Sequence, residues 1–258
     1  MPGRFFLSLF ILTPGLFFGT INPAHAEDVD HISQYRVCMN TVQTDPKKAF
    51  TIAIRWRDLG GGEAADHCTA AALIGLEQYR EGAVRMEELA LRSRQNPEMK
   101  AQILIHAVQG WLLAGDALRS EAVATTAIKL LGDFAPQLPE LLIDRAQARA
   151  QLRDYKGALE DLDKSILTQP TDADAFAFRA SAKRYLNDIE GAILDANSAL
   201  NINSAHADAL LERGILHRLN KADQKAREDW LMVLSVAPES LAAEAARVNL
   251  EKMDVKKE

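Results

Sequence analysis

The chain has 258 residues, with 30 lysines and arginines against 36 aspartates and glutamates, a formal net charge of −6. That acidic balance excludes nucleic acid as the expected partner. Alanine, leucine, glutamate and arginine abound while glycine (14) and proline (9) are few, a composition that favours an all-helical protein.

The opening segment, "MPGRFFLSLFILTPGLFFGTINPAHA", carries one positive charge at Arg4, an apolar stretch from Phe5 and the small-x-small triplet Ala24, His25, Ala26. This is the layout of a secretory signal peptide cleaved after Ala26, which would leave the mature chain in a periplasm or outside the cell. A retained membrane anchor is the alternative, weakened by Pro14, Gly15 and Gly19, which interrupt the apolar run. The expected organisation is a leader at 1–26, degenerate hairpins with a disulfide at 27–134, three regular units at 135–240, and a capping helix with a charged tail at 241–258.

After the leader, apolar residues at helical spacing predict three hairpins, at about 29–59, 63–95 and 98–132. Asp45 followed by Pro46 reads as a helix cap with proline at the first helical position. Ala49, Ala83 and Ala117 stand 34 residues apart and are expected to mark the same small position in successive units. Trp56, between Arg55 and Arg57, is expected to be buried between hairpins, with an exposed ligand-stacking ring as the alternative. The run Gly60, Gly61, Gly62 reads as a helix stop and tight turn. A phosphate-cradling loop would need a strand before it and a lysine-serine pair after it.

Cys38 and Cys68 are the only cysteines, and in an oxidising compartment an even pair is most simply one disulfide. A metal site built from His31, Cys38, His67 and Cys68 lacks the paired short gaps of zinc ligands, and a redox pair lacks the C-x-x-C spacing. The six histidines, His25, His31, His67, His106, His206 and His217, nowhere fall four residues apart on one helix face. No G-x-S-x-G nucleophile motif is present either. The expectation is a protein without catalytic residues, metal or cofactor.

The stretch "GDFAPQLPE" then brings two prolines and breaks the phase, making it the candidate bend between two halves. Beyond it three segments align: "DRAQARAQLRDYKGALED" at 144–161, "FRASAKRYLNDIEGAILD" at 178–195 and "ERGILHRLNKADQKARED" at 212–229. Small residues recur in register, Ala146, Ala180 and Gly214, each followed 12 residues later by Ala158, Ala192 and Ala226. Pro170 and Pro238 end two units, and Ser204 replaces proline in the third. Each unit is a helical hairpin that cannot bury its apolar face alone, so the units must stack. "ESLAAEAARVNLEKM" supplies a last amphipathic helix as a cap, and "DVKKE" is expected to be a disordered tail.

A 34-residue helix-turn-helix with these small, large apolar and terminal proline positions resembles the tetratricopeptide repeat. Over 139–240, Tyr155 and Ile189 sit at the family's turn position, and Leu162, Ala196 and Trp230 at its large apolar position. The resemblance implies a right-handed α-solenoid of about six hairpins plus a cap, with Cys38 and Cys68 side by side on the first helices of units one and two. It also implies a concave groove lined by first helices, here Gln147, Gln151, Asp174, Ser181, Arg184, Tyr185, Asp208, Ile215 and Arg218. This set does not match the lysine-and-asparagine clamp with which some members bind a C-terminal carboxylate.

Arg145, Arg179 and Arg213 each have an aspartate 16 residues on, at Asp161, Asp195 and Asp229. The separation places each pair on facing helices, predicting a ladder of structural salt bridges, with a cationic groove for an acidic ligand as the alternative. The leading functional expectation is a non-enzymatic adaptor binding an envelope protein or peptide in its groove. The alternatives are a self-assembling structural protein that forms a homo-oligomer, and a thiol or metal enzyme built on the two cysteines.

Overall fold

The computed structural model describes residues 30–133 and 135–255. The expected leader and its cleavage site, and residues 256–258 of the expected tail, lie outside the described residues. Among those described, every regular element is an α-helix, thirteen in all, paired into six hairpins and a cap. The hairpins are α1 (His31–Thr44) with α2 (Pro46–Asp58), α3 (Gly62–Gly75) with α4 (Tyr79–Arg92), and α5 (Pro97–Leu113) with α6 (Ala117–Leu131). They continue as α7 (Leu138–Gln151) with α8 (Tyr155–Thr168), α9 (Ala173–Tyr185) with α10 (Ile189–Ile202), and α11 (Ala207–Leu219) with α12 (Asp223–Val236). The cap is α13 (Leu241–Val255), which keeps Asp254 and Val255 helical although the sequence reading assigned both to the tail.

One turn design closes five of the six hairpins. After each first helix a residue adopts positive φ: Glu77 (62°), Gly115 (71°), Arg153 (63°), Asn187 (64°) and Lys221 (60°). The next backbone N–H returns to the helix five residues back, as Gln78 to Leu73, Asp116 to Trp111, Asp154 to Arg149, Asp188 to Lys183 and Ala222 to His217. This is the Schellman stop, which satisfies the carbonyls a helix end leaves unpaired. In three of these turns the same residue then caps the second helix: Asp116, Asp154 and Asp188 accept from the backbone N–H three residues on. Glycine suits the left-handed position, yet only Gly115 supplies it.

Helix starts show a register that the alanine spacing had not. The second helices begin at Pro46, Tyr79, Ala117, Tyr155, Ile189 and Asp223. The small position on each, three residues in, is therefore Ala49, Gly82, Ser120, Ala158, Ala192 and Ala226. Ala83 and Ala117 are buried but occupy other positions, so their 34-residue spacing from Ala49 is incidental. The period slips because α5 is 17 residues long where α3 has 14, and because residues 132–137 separate α6 from α7. A Cβ on Gly82 would meet Ile74 at 2.6 Å, which shows how closely that hairpin's helices approach.

Each helix packs on the next, and the first helices also pack on one another: α1 on α3, α3 on α5, α5 on α7, α7 on α9, α9 on α11 and α11 on α13. No second helix packs on another second helix among the described residues. The first helices are therefore the closer-spaced row and line the inner face. The stack runs through the two-proline segment, since α7 rests on both α5 and α6.

Candidate functional site

The inner face is crossed by five seams, and one position on each first helix meets the preceding first helix there. Cys68, His106, Asp144, Phe178 and Glu212 each stand eight residues before the C-cap of their helix. Each seam uses a different chemistry. Cys68 is joined to Cys38 on α1 by a disulfide, with the Cα atoms 6.2 Å apart. A bridge closing a loop of this length stabilises by roughly 3–4 kcal/mol in the chain-entropy account. Both cysteines are thereby removed from any thiol or metal chemistry. Among the described residues no group of three or more histidine, cysteine, aspartate or glutamate side chains is placed to hold a metal ion.

At the next seam His106 Nδ1 lies 3.0 Å from His67 Nε2, and His67 Nδ1 lies 2.8 Å from the Tyr35 hydroxyl. Burial, helped by the neighbouring imidazole of His106, pushes His67 down to about 3. Burial likewise lowers His106 and raises the Tyr35 phenol, so the row is neutral at pH 7. The sequence reading saw six scattered histidines, and the two that meet here are 39 residues apart, off any helical or 34-residue spacing. Counting back eight residues from the helix stops finds His106, and on α3 it finds Cys68, with His67 next to it.

Asp144 holds the same position on α7 and is 8% exposed. Its Oδ2 has no hydrogen-bond partner among the described residues. Burial first, and the charge of Glu140 second, raise its carboxyl to about 7 against an opposing hydrogen bond from Gln109 on α5. At the last seam Glu212 accepts from Arg184 Nε and, at 3.2 Å, from Nη2.

The arginines lie between first and second helices instead. Arg145 Nε and Nη2 donate to the two oxygens of Asp161 at 2.9 and 2.6 Å. Arg179 holds Asp195 at 2.9 and 2.7 Å, and Arg213 holds Asp229 at 3.0 and 2.6 Å. The carboxylates are 1%, 4% and 6% exposed, and each guanidinium uses its remaining nitrogen on Thr125, Asp163 or Asn197. A second cation backs the first two pairs, Arg149 on Asp161 at 2.8 Å and Lys183 on Asp195 at 2.7 Å. The third has only His217, 3.8 Å from Asp229 and held neutral mainly by burial. With two-point pairing to buried carboxylates, these guanidinia are engaged inside the hairpins and are not presented to an acidic ligand.

Of the nine groove residues, three converge. Gln147, Ser181 and Tyr185 line one cleft of about 40 Å3 between α7 and α9, together with Ala150, Phe178 and Tyr155. The Tyr185 ring stacks on Tyr155 with centroids 4.3 Å apart, and the Arg184 guanidinium lies 4.2 Å from the Tyr185 ring centre. Gln151 is exposed at the end of the same helix, and Ile215 is half-buried against the core beneath α11. The other charged members have partners within the chain: Asp174 with His206 Nε2 at 2.8 Å, Arg218 with Asp223, and Arg184 with Glu212. The hydrogen bond that His206 Nε2–H donates to Asp174 raises the His206 imidazole and lowers the Asp174 carboxyl, tying α9 to the start of α11. Asp208 is exposed. Trp56 is 2% exposed and donates from Nε1 to His31 Nδ1 at 2.9 Å, so it offers no face to a ligand.

No protein-family model matches the chain. No curated protein matches it either. Solved structures do. MamA residues 41 to the end from Desulfovibrio magneticus RS-1 superposes with a TM-score of 0.57 at 16% identity, covering 69% of this chain and 97% of that one. YrrB, described as a tetratricopeptide repeat protein with an unusual peptide-binding site, superposes with a TM-score of 0.53 at 15% identity, covering 77% and 97%. A further MamA structure gives 0.55 at 11% identity, covering 70% and 94%. Stacked hairpins with an inner row of first helices, Schellman turns and these structural likenesses agree: the chain has the fold of the tetratricopeptide repeat proteins.

Proposed function

We propose that the chain is a non-enzymatic interaction scaffold of the cell envelope, exported by its N-terminal leader, that holds an extended segment of another protein against its first-helix face. The observation that carries this reading is the small cleft of Gln147, Ser181 and Tyr185, where polar and aromatic side chains from two adjacent first helices converge above Tyr155, Ala158 and Leu162 of α8. YrrB, which shares the fold, is described as having a peptide-binding site. The leader layout and the two paired cysteines favour an oxidising compartment.

Filling the cleft is the direct test. Ser181→Trp should abolish recovery of the partner from envelope extracts, while Leu167→Trp, on an exposed position of the outer helix α8, should leave it intact. Equal recovery with both variants would reject the inner face as the binding surface. Alanine at Arg184 is a poorer probe, because it would also strip Glu212 of its partner at a structural seam.

Self-association is a second reading, favoured by the outer side of α13. Leu241, Val248 and Val255 are 83%, 44% and 71% exposed at heptad spacing. Light scattering across concentration decides it, since a constant monomer mass would remove it.

A further inference from the structure

We infer that Asp144 is the anchor for an ammonium group of the bound segment, a lysine side chain laid across the seam between α5 and α7. This rests on the inner face being the binding surface and names the residue chemistry that the surface selects.

Asp161, Asp195, Asp229 and Glu212 are all buried, and each has a guanidinium from this chain on it. Asp144 is just as buried and has none. The basic residues nearest it on α7 are directed elsewhere: Arg145 to Asp161 and Thr125, and Arg149 through Nη1 to Asp161 and the Gly157 carbonyl, while its Nε, which makes no hydrogen bond among the described residues, lies 3.5 Å from Glu121. Gln109 and Gln147, its polar neighbours in the row, are neutral, and the one charge acting on it, Glu140, has the same sign. A buried carboxylate left without a cation destabilises a fold. Replacing it by an isosteric amide would relieve that penalty, so its presence is accounted for by a cation that arrives with a ligand.

The chemistry of the site narrows the cation. Of the two Asp144 oxygens only Oδ2 lacks a partner, so the site offers a single acceptor, which suits a point donor and leaves no place for the two-point pairing that makes a guanidinium the stronger partner. A lysine also brings a long apolar stem able to lie along the inner face while its end group reaches into the seam.

The test is a selection of random displayed dodecapeptides on the wild-type protein and on Asp144→Asn, followed by titration of the winning peptide and its lysine-to-norleucine form. The expected result is a lysine enriched at one fixed position on wild type and absent from the Asp144→Asn pool. The lysine peptide should lose affinity by at least about 30-fold on Asp144→Asn, and the norleucine peptide should bind both proteins equally. Peptides that bind wild type with no basic preference, or with the same preference on both proteins, would overturn the assignment of Asp144 and leave the binding face standing. Failure of any peptide to bind wild type would overturn both.

Discussion

Removing Arg213 should be the most damaging single change in the arginine ladder, although its side chain is the most exposed of the three arginines at 26%, against 11% for Arg145 and 17% for Arg179. The reason is what remains behind. Arg145→Ala leaves Asp161 with Arg149 at 2.8 Å, and Arg179→Ala leaves Asp195 with Lys183 at 2.7 Å. Arg213→Ala leaves Asp229, 9% exposed at its side chain, facing only a neutral imidazole 3.8 Å away. Stripping a buried carboxylate of its partner costs about 3–5 kcal/mol, which partial exposure of Arg213 brings to about 3; a second cation should hold the loss at Arg179 to about 1.5. For a chain of this size about 3 kcal/mol corresponds to a fall in Tm of roughly 6–12 °C, and about 1.5 to roughly half of that. The double substitution Arg213→Met with Asp229→Leu should recover most of the loss, because an apolar pair of similar volume leaves no charge unpaired. Thermal melts by circular dichroism on the four proteins decide the matter. An Arg213→Ala melt equal to wild type, or milder than that of Arg179→Ala, would refute the reasoning.

Three further outcomes follow from the same geometry. A Cβ on Gly214 would lie 2.3 Å from Trp230 Nε1, whereas the equivalent small residues Ala146 and Ala180 face Leu162 and Ala196; Gly214→Ala should therefore cost about 1–3 kcal/mol in a urea melt, and a neutral result would contradict the close approach. Arg153 and Lys221 hold left-handed backbone at φ 63° and 60°, so Arg153→Gly and Lys221→Gly should each stabilise by about 0.5–1 kcal/mol, and destabilisation of both would contradict the turn assignment. Stability should bend with pH in two opposed ways. His67 and His106 are depressed in the folded state, so their contribution is full above about 6.5 and lost as pH falls below it; Asp144 is raised to about 7, so stability is lost as pH rises from about 4 to 7. Asp144→Asn should then match wild type near pH 4 and exceed it above pH 7, by on the order of 1 kcal/mol or more; a variant no more stable than wild type at pH 8 would show that the carboxylate carries no penalty.

What the sequence made legible was whatever repeats. Arg145, Arg179 and Arg213 with their aspartates stand in one register because three consecutive units keep the 34-residue period, and the six hairpins follow from apolar spacing and stop signals. The N-terminal half is harder because its units are unequal. Ala83 and Ala117 looked like repeat positions, but α4 starts at Tyr79 and puts the small position at Gly82, and the extra length of α5 carries the next one to Ser120. The same slip hides the seam row, since Cys68, His106, Asp144, Phe178 and Glu212 share a place while having nothing chemical in common. Asp144 illustrates the limit most sharply: it opens the stretch whose arginine drew attention, yet only burial and the missing partner of Oδ2 distinguish it from a surface aspartate. The inner-face residues were placed by family likeness, and that likeness does not reveal that Arg184, Arg218 and Asp174 are already paired.

The central claim is that the first-helix face holds another protein, and site-specific photo-crosslinking in intact cells measures it most directly. A photoreactive phenylalanine analogue at Gln147 or Ser181, which line the cleft between α7 and α9, should yield a discrete adduct, while the same group at Leu167 or Leu194 on the outer helices should yield none. Adducts from the outer positions with none from the inner ones would contradict the account.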